Sequence, residues 1–305
     1  MNYTELNQAI QDYTENTEQT FLLNIPVFVK QTETRIYNSV QLPSLRKNVN
    51  GVLTSNNKYL TCPDDWLANY SLAVVDGSGN YSYLLNKDVN FIREAYPNPN
   101  SVGLPKYYSI FGPDSAALTE LSMMLAPTPD DSYVVELHYF YYPESIVQGA
   151  IKTVTITNGG TGYNNGVYKG VYLIGGDGLG AVATITIESQ TITSVEITNG
   201  GAFYNVGEIL TANNTDIGGS GVNLSITIAT VSNPDGTSWV GDNYDPVLFY
   251  GAMREAILFM KGEQDMVAYY EKMFQEALMQ LKRLGDGLER GDAYRDGQTK
   301  LKVNS

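Results

Sequence analysis

The sequence predicts an α+β fold in which helical segments at both ends of the chain enclose a β-rich middle. The first observation is hydrophobic periodicity, which has the period of a helix up to about residue 40 and beyond about residue 245, and a period of two between them. The second is a duplication, because VTITNGGTGY at Val154–Tyr163 recurs as VEITNGGAFY at Val195–Tyr204, 41 residues later. The third is composition, since 29 glycines and 23 tyrosines favour turns and β surface.

Two helices are expected at the N-terminal end. The first begins near Thr4, which can cap it, and carries apolar residues at helical spacing. The second has Asn24 and Pro26 as start signals, followed by an apolar face that includes Phe28.

Short strands are expected from about Val52 to Tyr142. Runs of alternating apolar and polar residues, separated by proline and glycine, predict about five of them. Asp76-Gly77 lies between two such runs and indicates a hairpin. With the helices at both ends, this region makes up the first predicted domain, residues 1–150 and 231–284.

The duplicated block predicts a second, all-β domain at residues 151–230. Each copy reads as an alternating run, an Asn-Gly-Gly turn, a Gly/Tyr loop, a glycine-rich turn and another alternating run. Two copies are too few for a solenoid, so we expect two similar halves that bury each other's apolar faces. The block interrupts the chain before the C-terminal helices, which is typical of an insertion. The predicted turn residues are Asn158, Gly159, Gly160, Tyr163, Asn199, Gly200, Gly201 and Tyr204.

Two more helices follow the block. Asp245-Pro246 begins the first, and Gly262 ends it. The second is predicted over Glu263–Leu284, with an apolar stripe expected to lie in the core. Residues 285–305 are polar and non-periodic, and are predicted to form an extended tail.

Charge and composition exclude several classes of function. The net charge of −14 argues against broad contact with a nucleic-acid backbone, which requires clustered lysine and arginine. No apolar run is long enough to cross a membrane, and the first residues do not resemble a secretion signal, so a soluble protein is expected. A single cysteine, Cys62, and a single histidine, His138, cannot form a disulfide or a zinc site within one chain.

The residues that could carry chemistry also have structural interpretations, which we favour. His138 and Glu136 share one face of a predicted strand and could form a catalytic pair, but no nucleophile lies near them in sequence. Asp64-Asp65 and Asp130-Asp131 could bind a cation, yet each pair follows a proline in a turn, where Asp commonly bonds backbone amides. The tyrosines at 107–108 and 139–142 fit strand packing or an interface. We therefore expect no enzymatic activity, no cofactor and no metal.

Six motifs outside the duplicated block occur in a recognisable order. They are YTELNQAIQDYTE, IPVFVKQTETRIYN, YLTCPDDWL, LPKYYSIFG, LAPTPDDSYVVELHYFYYP, and YDPVLFYGAMREAILFMK with YYEKMFQEALMQLKRL. In this order they resemble the phage head-to-tail adaptor (connector) proteins of the SU10 type. The duplicated block is similar to the NGG-x-GY repeats of phage tail and baseplate proteins. The resemblance implies a helical adaptor core with a short-stranded β region. The chain departs from the short members of the family by carrying the inserted β domain.

The resemblance also implies a structural virion protein of the bacteriophage neck. Such proteins assemble in the host cytoplasm as an oligomeric ring, usually a dodecamer, that binds the portal and receives tail or nozzle proteins. DNA passes through the channel during ejection without specific binding. In such a ring the stripe on the last helix would also contribute to the subunit interface: Tyr270, Phe274, Leu278 and Leu281. Basic residues of the tail would dock on the portal: Arg290, Arg295, Lys300 and Lys302.

Two alternatives remain open at this point. A carbohydrate-binding or decoration protein of the phage tail would use the duplicated block to hold a glycan, but both tryptophans, Trp66 and Trp239, lie outside that block. The basic tail could equally be a chain end without a role. We expect the ring.

Overall fold

The protein has a mixed α+β architecture, which confirms the predicted fold class. The computed structural model describes residues 1–98, 100–112 and 121–296 and, within them, every side chain except those of Ser220 and residues 286–296. The described residues form six α-helices and three β-sheets.

The helices are α1 (Tyr3–Thr14), α2 (Gln19–Ser39), α3 (Val89–Ala95), α4 (Trp239–Asn243), α5 (Pro246–Phe259) and α6 (Gln264–Asp296). The first eight strands are β1 (Arg46–Val52), β2 (Tyr59–Thr61), β3 (Trp66–Val75), β4 (Tyr81–Tyr83), β5 (Leu85–Asn86), β6 (Tyr107–Phe111), β7 (Ser122–Ala126) and β8 (Val134–Tyr141). The other six are β9 (Ala150–Tyr163), β10 (Gly166–Ile174), β11 (Leu179–Glu188), β12 (Thr191–Ala202), β13 (Ile209–Ala212) and β14 (Gly219–Ser232).

The chain divides into two compact units, one formed by Gln41–Pro143 and the other by the remainder on both sides of it. The predicted domains divide instead at residues 150 and 231. The boundaries differ because the strands of Gln41–Pro143 pair only with one another among the described residues, whereas the helices pack against the duplicated block.

The unit Gln41–Pro143 contains two four-stranded sheets, ordered β1-β8-β3-β4 and β2-β7-β6-β5. Side chains from both sheets form one apolar core, including Leu72 and Leu137 from the first and Met123 and Leu125 from the second. Helix α3 covers part of the second sheet through Ile92. The region has eight strands rather than about five, because several are only two or three residues long and leave little alternation in the sequence.

Two helix starts differ from the prediction. Asn2, not Thr4, caps α1: the Asn2 side chain accepts a hydrogen bond from the Glu5 amide at 2.9 Å, and the Glu5 carboxylate accepts one from the Asn2 amide at 3.0 Å. Helix α2 begins at Gln19, so Pro26 lies inside it and is buried. Continuing the helix toward its N-terminus buries Phe21 completely, which offsets the hydrogen bond that proline cannot make.

The six-stranded sheet explains the duplication. Its strand order is β12-β11-β10-β13-β14-β9, with β9 to β11 from the first copy and β12 to β14 from the second. The first strand of each copy pairs with the last strand of the other, β9 with β14 and β12 with β11. The two copies therefore occupy equivalent positions in the sheet. Isoleucines of both copies share one core, including Ile185 and Ile226.

The Asn-Gly-Gly segments do not separate two strands, as the sequence predicts; each lies within a continuous strand, β9 or β12. Glycine is required there because the two strands run close together. A Cβ atom on Gly159 would lie 2.7 Å from the Ile192 carbonyl oxygen, and one on Gly200 would lie 2.5 Å from that of Ile151. These two contacts are equivalent under the exchange of copies, so both halves use the same close approach.

Candidate assembly surfaces

Helix α5 is the centre of the helical part of the chain. It packs against α1, α2 and α6, and half of its residues are buried, including Leu248, Ala252 and Met253. Gly251 makes the approach to α2 possible, because a Cβ atom there would lie 2.2 Å from the Thr32 side chain. Three helices therefore surround α5.

Four charged side chains connect α2, α5 and α6. The Arg35 guanidinium lies 2.8 Å from Glu271 and 3.6 Å from Glu255, and Arg254 lies 3.1 Å and 2.5 Å from the same two carboxylates. Arg35 also lies 4.4 Å from the centre of the Phe274 ring. Burial alone would raise the pKa of Glu271, but hydrogen bonds from Gln275 and Arg35 lower it below its usual range. The cluster is electrically balanced and fixes the orientation of the three helices.

The stripe predicted as a subunit interface lies inside the subunit. Tyr270, Phe274, Leu278 and Leu281 are all less than a tenth exposed. They belong to the packing of α6 against the rest of the chain. They are core residues, as the sequence predicts, and their additional role at a subunit interface stays a prediction.

The fourth side of α5 is an open groove. Its cavity of about 260 Å³ is lined by Ala9 and Tyr13 of α1 and by Pro246, Phe249 and Tyr250 of α5, together with Met1 and Asp245. The Tyr13 ring lies 5.0 Å from that of Phe249 but remains 68% exposed. Aromatic side chains in a concave surface with this exposure are typical of protein interfaces.

Helix α6 carries exposed apolar side chains on one flank. Met266 and Tyr269 are 43% and 53% exposed. At 100° per residue, they share this flank with Gln280, which accepts a hydrogen bond from the Tyr244 hydroxyl at 2.5 Å beside the start of α5. Sequence reasoning missed this surface because the exposed and the buried apolar residues of α6 are adjacent in sequence.

A buried carboxylate on α2 binds the segment that follows Pro143, where the chain returns to the helices. Glu33 of α2 accepts hydrogen bonds from the Ser145 hydroxyl at 2.5 Å and the Ile146 amide at 2.8 Å. Burial raises the pKa of Glu33 to about 7, against the opposing effects of these hydrogen bonds and of Lys30. Nothing in the sequence distinguishes Glu33 from the other polar residues of α2.

The predicted pair His138 and Glu136 has a neighbour that the sequence did not indicate. The Ser71 hydroxyl lies 2.8 Å from His138 Nδ1, while Glu136 lies 3.5 Å from Nε2. The second distance is too long for the hydrogen bond that orients a catalytic histidine, and Glu136 instead accepts a hydrogen bond from Asn48 at 2.6 Å. The register of β3 against β8 brings Ser71 beside His138. This register cannot be deduced from the alternation of apolar and polar residues alone.

The remaining candidates for chemistry have structural partners. Cys62 is buried, and this burial raises its pKa to about 11, which disfavours the thiolate. Asp65 accepts hydrogen bonds from Lys47 and Tyr139, and Asp130 accepts one from Tyr133. Across the residues that the structure describes, no three histidine, cysteine or acidic side chains are grouped as metal ligands would be.

The predicted residues of the duplicated block form two equivalent sets. Asn158 accepts a hydrogen bond from the Gly160 amide at 2.9 Å, and Asn199 accepts one from the Gly201 amide at 3.1 Å. Tyr163 and Tyr204 are buried, and each ring packs against glycine of the other copy, Gly221 and Gly178 respectively. These residues stabilise the contact between the copies.

The predicted tail begins as helix. Helix α6 continues past Leu284 to Asp296, so the backbone of Arg290 and Arg295 is helical rather than extended. Leu288, Glu289 and Ala293 are good helix formers, and their propensities offset part of the cost of the glycines at 285, 287 and 291. Lys300 and Lys302 lie outside the described residues.

Comparison with protein families identifies the chain's relatives. The family model described as SU10 adaptor protein matches residues 1–171, more than half of the chain. The match extends beyond the predicted start of the second domain and ends in β10. A comparison with curated proteins finds no match. Among the helices that the structure describes, none is long and apolar enough to cross a membrane.

Proposed function

The chain belongs to the SU10 adaptor protein family, and from this premise we propose that it is a structural protein of the phage neck whose subunits form a ring between the portal and the tail. Family membership supports a phage head-to-tail adaptor located in the virion. The ring, its contacts and its channel are our proposal. No enzymatic step is part of this role.

The observation that carries the ring is the open side of α5. A helix surrounded by three others, with an aromatic groove in the fourth position, has apolar surface that another subunit can bury. A groove contacting a different surface on the next subunit is a heterologous interface, which closes into a ring when the rotation between subunits permits. The family resemblance implies a dodecamer.

The charge of the chain supports a channel that DNA crosses without being held. A net charge of −14 on each subunit disfavours contact with phosphates within about 8 Å at physiological salt. We propose that Asp, Glu, Asn and Gln outnumber Lys and Arg on the channel surface, as DNA ejection requires.

We also propose that residues 151–230 are an inserted domain that serves tail assembly rather than ring closure. The two ends of the block are adjacent, because Ala150 of β9 pairs with Ser232 of β14 and the Gly149 amide donates to the Ser232 carbonyl at 3.0 Å. The block is fixed to the helices by Tyr3, whose ring lies 5.1 Å from that of Phe203. Its exposed face is available to tail or nozzle proteins.

The basic residues predicted to dock on the portal are Arg290, Arg295, Lys300 and Lys302, which lie close together in the sequence of an otherwise acidic chain. We propose that this segment contacts the portal, where an acidic surface would attract it.

One observation favours the second candidate function, a carbohydrate-binding or decoration protein. The rings of Tyr81 and Tyr83 stack 6.5 Å apart on β4 and are 57% and 65% exposed. Exposed, nearly parallel tyrosines can stack on sugars. If this role were the main one, Tyr81→Ala and Tyr83→Ala would abolish binding to host surface glycan, whereas the ring proposal predicts no glycan binding by the wild-type protein.

A phage that lacks this protein tests the proposal. We expect DNA-filled heads without tails in electron micrographs of the lysate, and restoration of tailed particles when the protein is supplied. Tailed, infectious particles formed in its absence would refute the proposed function.

A further inference from the structure

The first sheet of the unit Gln41–Pro143 is open at both edges. Its strand order is β1-β8-β3-β4, and among the described residues no further strand pairs with β1 or with β4. The sheet of the duplicated block is different, because its two edge strands, β9 and β12, pack against each other. An open edge presents unpaired amides and carbonyls that a strand of another chain can bind.

The outward backbone groups of β1 follow from its pairing with β8. The Leu53 amide donates to the Tyr133 carbonyl at 2.8 Å, directly beyond the last pair of a regular antiparallel ladder. In such a ladder every second residue bonds the partner strand, and the residues between them direct their amides and carbonyls the other way. Asn48, Asn50 and Val52 are these alternate residues, so their backbone groups point out of the sheet edge.

The same reasoning applies to β4 at the opposite edge. The Leu84 amide donates to the Leu72 carbonyl at 2.9 Å, next to the antiparallel pairs of β4 with β3. Tyr81 and Tyr83 alternate with the residues that bond β3. Their amides and carbonyls therefore point out of the sheet.

Neither edge carries the devices that usually prevent a further strand from pairing. Edge strands are commonly protected by proline, by a bulge or by lysine. Strand β1 has seven residues without proline, and its register with β8 has no irregularity. Its lysine, Lys47, reaches back over the sheet, where its ammonium lies 2.5 Å from Asp65 and 4.0 Å from the centre of the Tyr141 ring. Strand β4 has no proline and no charged residue.

A row of apolar side chains crosses the whole sheet on the face turned away from its core. Its members are successive cross-strand partners on the four strands: Val52, Val134, Val75 and Tyr81. Val52 at one edge is 65% exposed and Tyr81 at the other is 57% exposed. The row therefore ends in exposed apolar surface at both edges.

The strand directions allow the two edges to join in a ring. All three pairings within the sheet are antiparallel, so β1 and β4 run in opposite directions. Rotation about a ring axis gives every subunit the same orientation along that axis. Strand β4 of one subunit would therefore lie antiparallel to β1 of the next, and the alternation of directions would continue from subunit to subunit.

We propose that β4 of each subunit pairs with β1 of the adjacent subunit, which joins the first sheets of all subunits into one continuous sheet around the ring. The inference rests on the proposed function, which requires a ring, and adds a backbone contact to the groove beside α5. The register that continues the apolar row places Tyr81 opposite Val52 of the next subunit, and Tyr83 opposite Asn50. Both pairs consist of residues with outward backbone groups, so each pair can exchange two hydrogen bonds.

A disulfide cross-link in the full-length protein tests this contact. The variant carries Asn50→Cys and Tyr83→Cys. Within one subunit these positions are three strand spacings apart, about 14 Å, and a disulfide requires Cα atoms within about 7 Å. In the proposed contact the two Cα atoms would be about 5.5 Å apart. Mild oxidation of the assembled protein should therefore give a ladder of linked chains on a non-reducing gel.

The controls for the cross-link are the two single-cysteine variants and the wild-type protein. The contact joins two different edges, so one introduced cysteine does not face its own copy in the next subunit. The wild-type protein keeps only Cys62, which is buried. All three controls should run as single chains after the same oxidation.

A proline substitution tests the backbone hydrogen bonds themselves. Asn50→Pro removes an amide that points out of the sheet, and proline is tolerated at such an edge position, so the subunit should still fold. Asn50→Ala is the matched control, because it shortens the same side chain and keeps the amide. Mass measurements across a concentration series should show that Asn50→Pro needs roughly tenfold or more higher concentration to assemble, whereas Asn50→Ala assembles like the wild type. Circular dichroism verifies the folding of both variants.

The other outcomes identify what has failed. A double-cysteine variant that forms the ring without linked chains, or with linked species that stop at two chains, would overturn the inference and leave the proposed function standing. The same holds if folded Asn50→Pro assembles like Asn50→Ala. Each test decides alone if the variant of the other does not fold or assemble. A wild-type protein that stays monomeric at every concentration, alone and with portal, would overturn the proposed function together with the inference.

Discussion

The close approach of β9 and β12 gives a prediction whose magnitude follows from the structure. In Gly159→Ala, the added methyl group would lie 2.7 Å from the Ile192 carbonyl oxygen and 2.7 Å from the Thr191 side chain. In Gly200→Ala, it would lie 2.5 Å from the Ile151 carbonyl oxygen. Backbone atoms cannot move aside as a flexible side chain can, so each substitution forces the two strands apart.

Overpacking of this kind typically costs about 1 to 3 kcal/mol of unfolding free energy. A cost of about 2 kcal/mol lowers the Tm of a unit of this size by about 4 to 8 °C. The two contacts are eight residues apart along β9, or about 26 Å, so the effects of the two substitutions should add. Gly77→Ala is the matched control, because Gly77 has an ordinary φ and no heavy atom within 4 Å of its Cβ position.

Differential scanning calorimetry of the two single variants, the double variant and the control checks the prediction. Gly159→Ala and Gly200→Ala should lower the Tm by similar amounts, and the double variant should lower it by the sum of the two. With no change for Gly77→Ala, this result would support two equivalent contacts between β9 and β12. Single variants that melt within 1 °C of the control would refute the reasoning.

Three further predictions concern the rest of the molecule. Burial raises the pKa of Glu33 from 4.5 to about 7. Between these two pH values the folded protein keeps a proton on Glu33 that the unfolded chain has released. The free energy of unfolding should therefore fall by roughly 3 kcal/mol as pH rises through this range. Glu33→Gln should flatten that dependence in urea titrations at pH 5 and pH 8, and an unchanged slope would contradict it. Arg35→Met keeps an apolar contact with Phe274 but leaves Arg254 as the only cation beside Glu255 and Glu271. Urea titrations should show a loss of about 1 kcal/mol that high salt reduces, whereas a loss insensitive to salt would exclude the electrostatic cause. Ile151–Thr230 can be deleted and replaced by a short Gly/Ser linker. The product should be folded and should still form rings, detected by size-exclusion chromatography, with a lower Tm because Tyr3 loses its contact with Phe203. An insoluble product would show that the block is not an independent insertion.

The periodic parts of the fold could be predicted from sequence, and the reasons are local. Helix α5 begins at Pro246, as the Asp-Pro signal indicates, because proline fixes the backbone for the first turn. The duplication predicts two equivalent halves, and the strands follow it copy by copy. In both cases the signal depends on a few neighbouring residues.

The failures arise where distant residues decide. Pro26 lies inside α2 because Phe21 gains full burial against other elements, which a local start signal cannot show. The Asn-Gly-Gly segments look like turns in sequence, but their glycines make room for a neighbouring strand. Gly159, for example, lies against Ile192, which is 33 residues later in the sequence. The groove beside α5 depends on which faces of α1 and α6 remain uncovered, and this is known only once the helices are packed.

The measurement that tests the central claim most directly is the mass of the purified protein in solution, alone and with its portal, by native mass spectrometry. Our account predicts a closed ring of identical subunits, a dodecamer by family resemblance, that forms a complex with the portal. A protein that is strictly monomeric and never associates with the portal would contradict it.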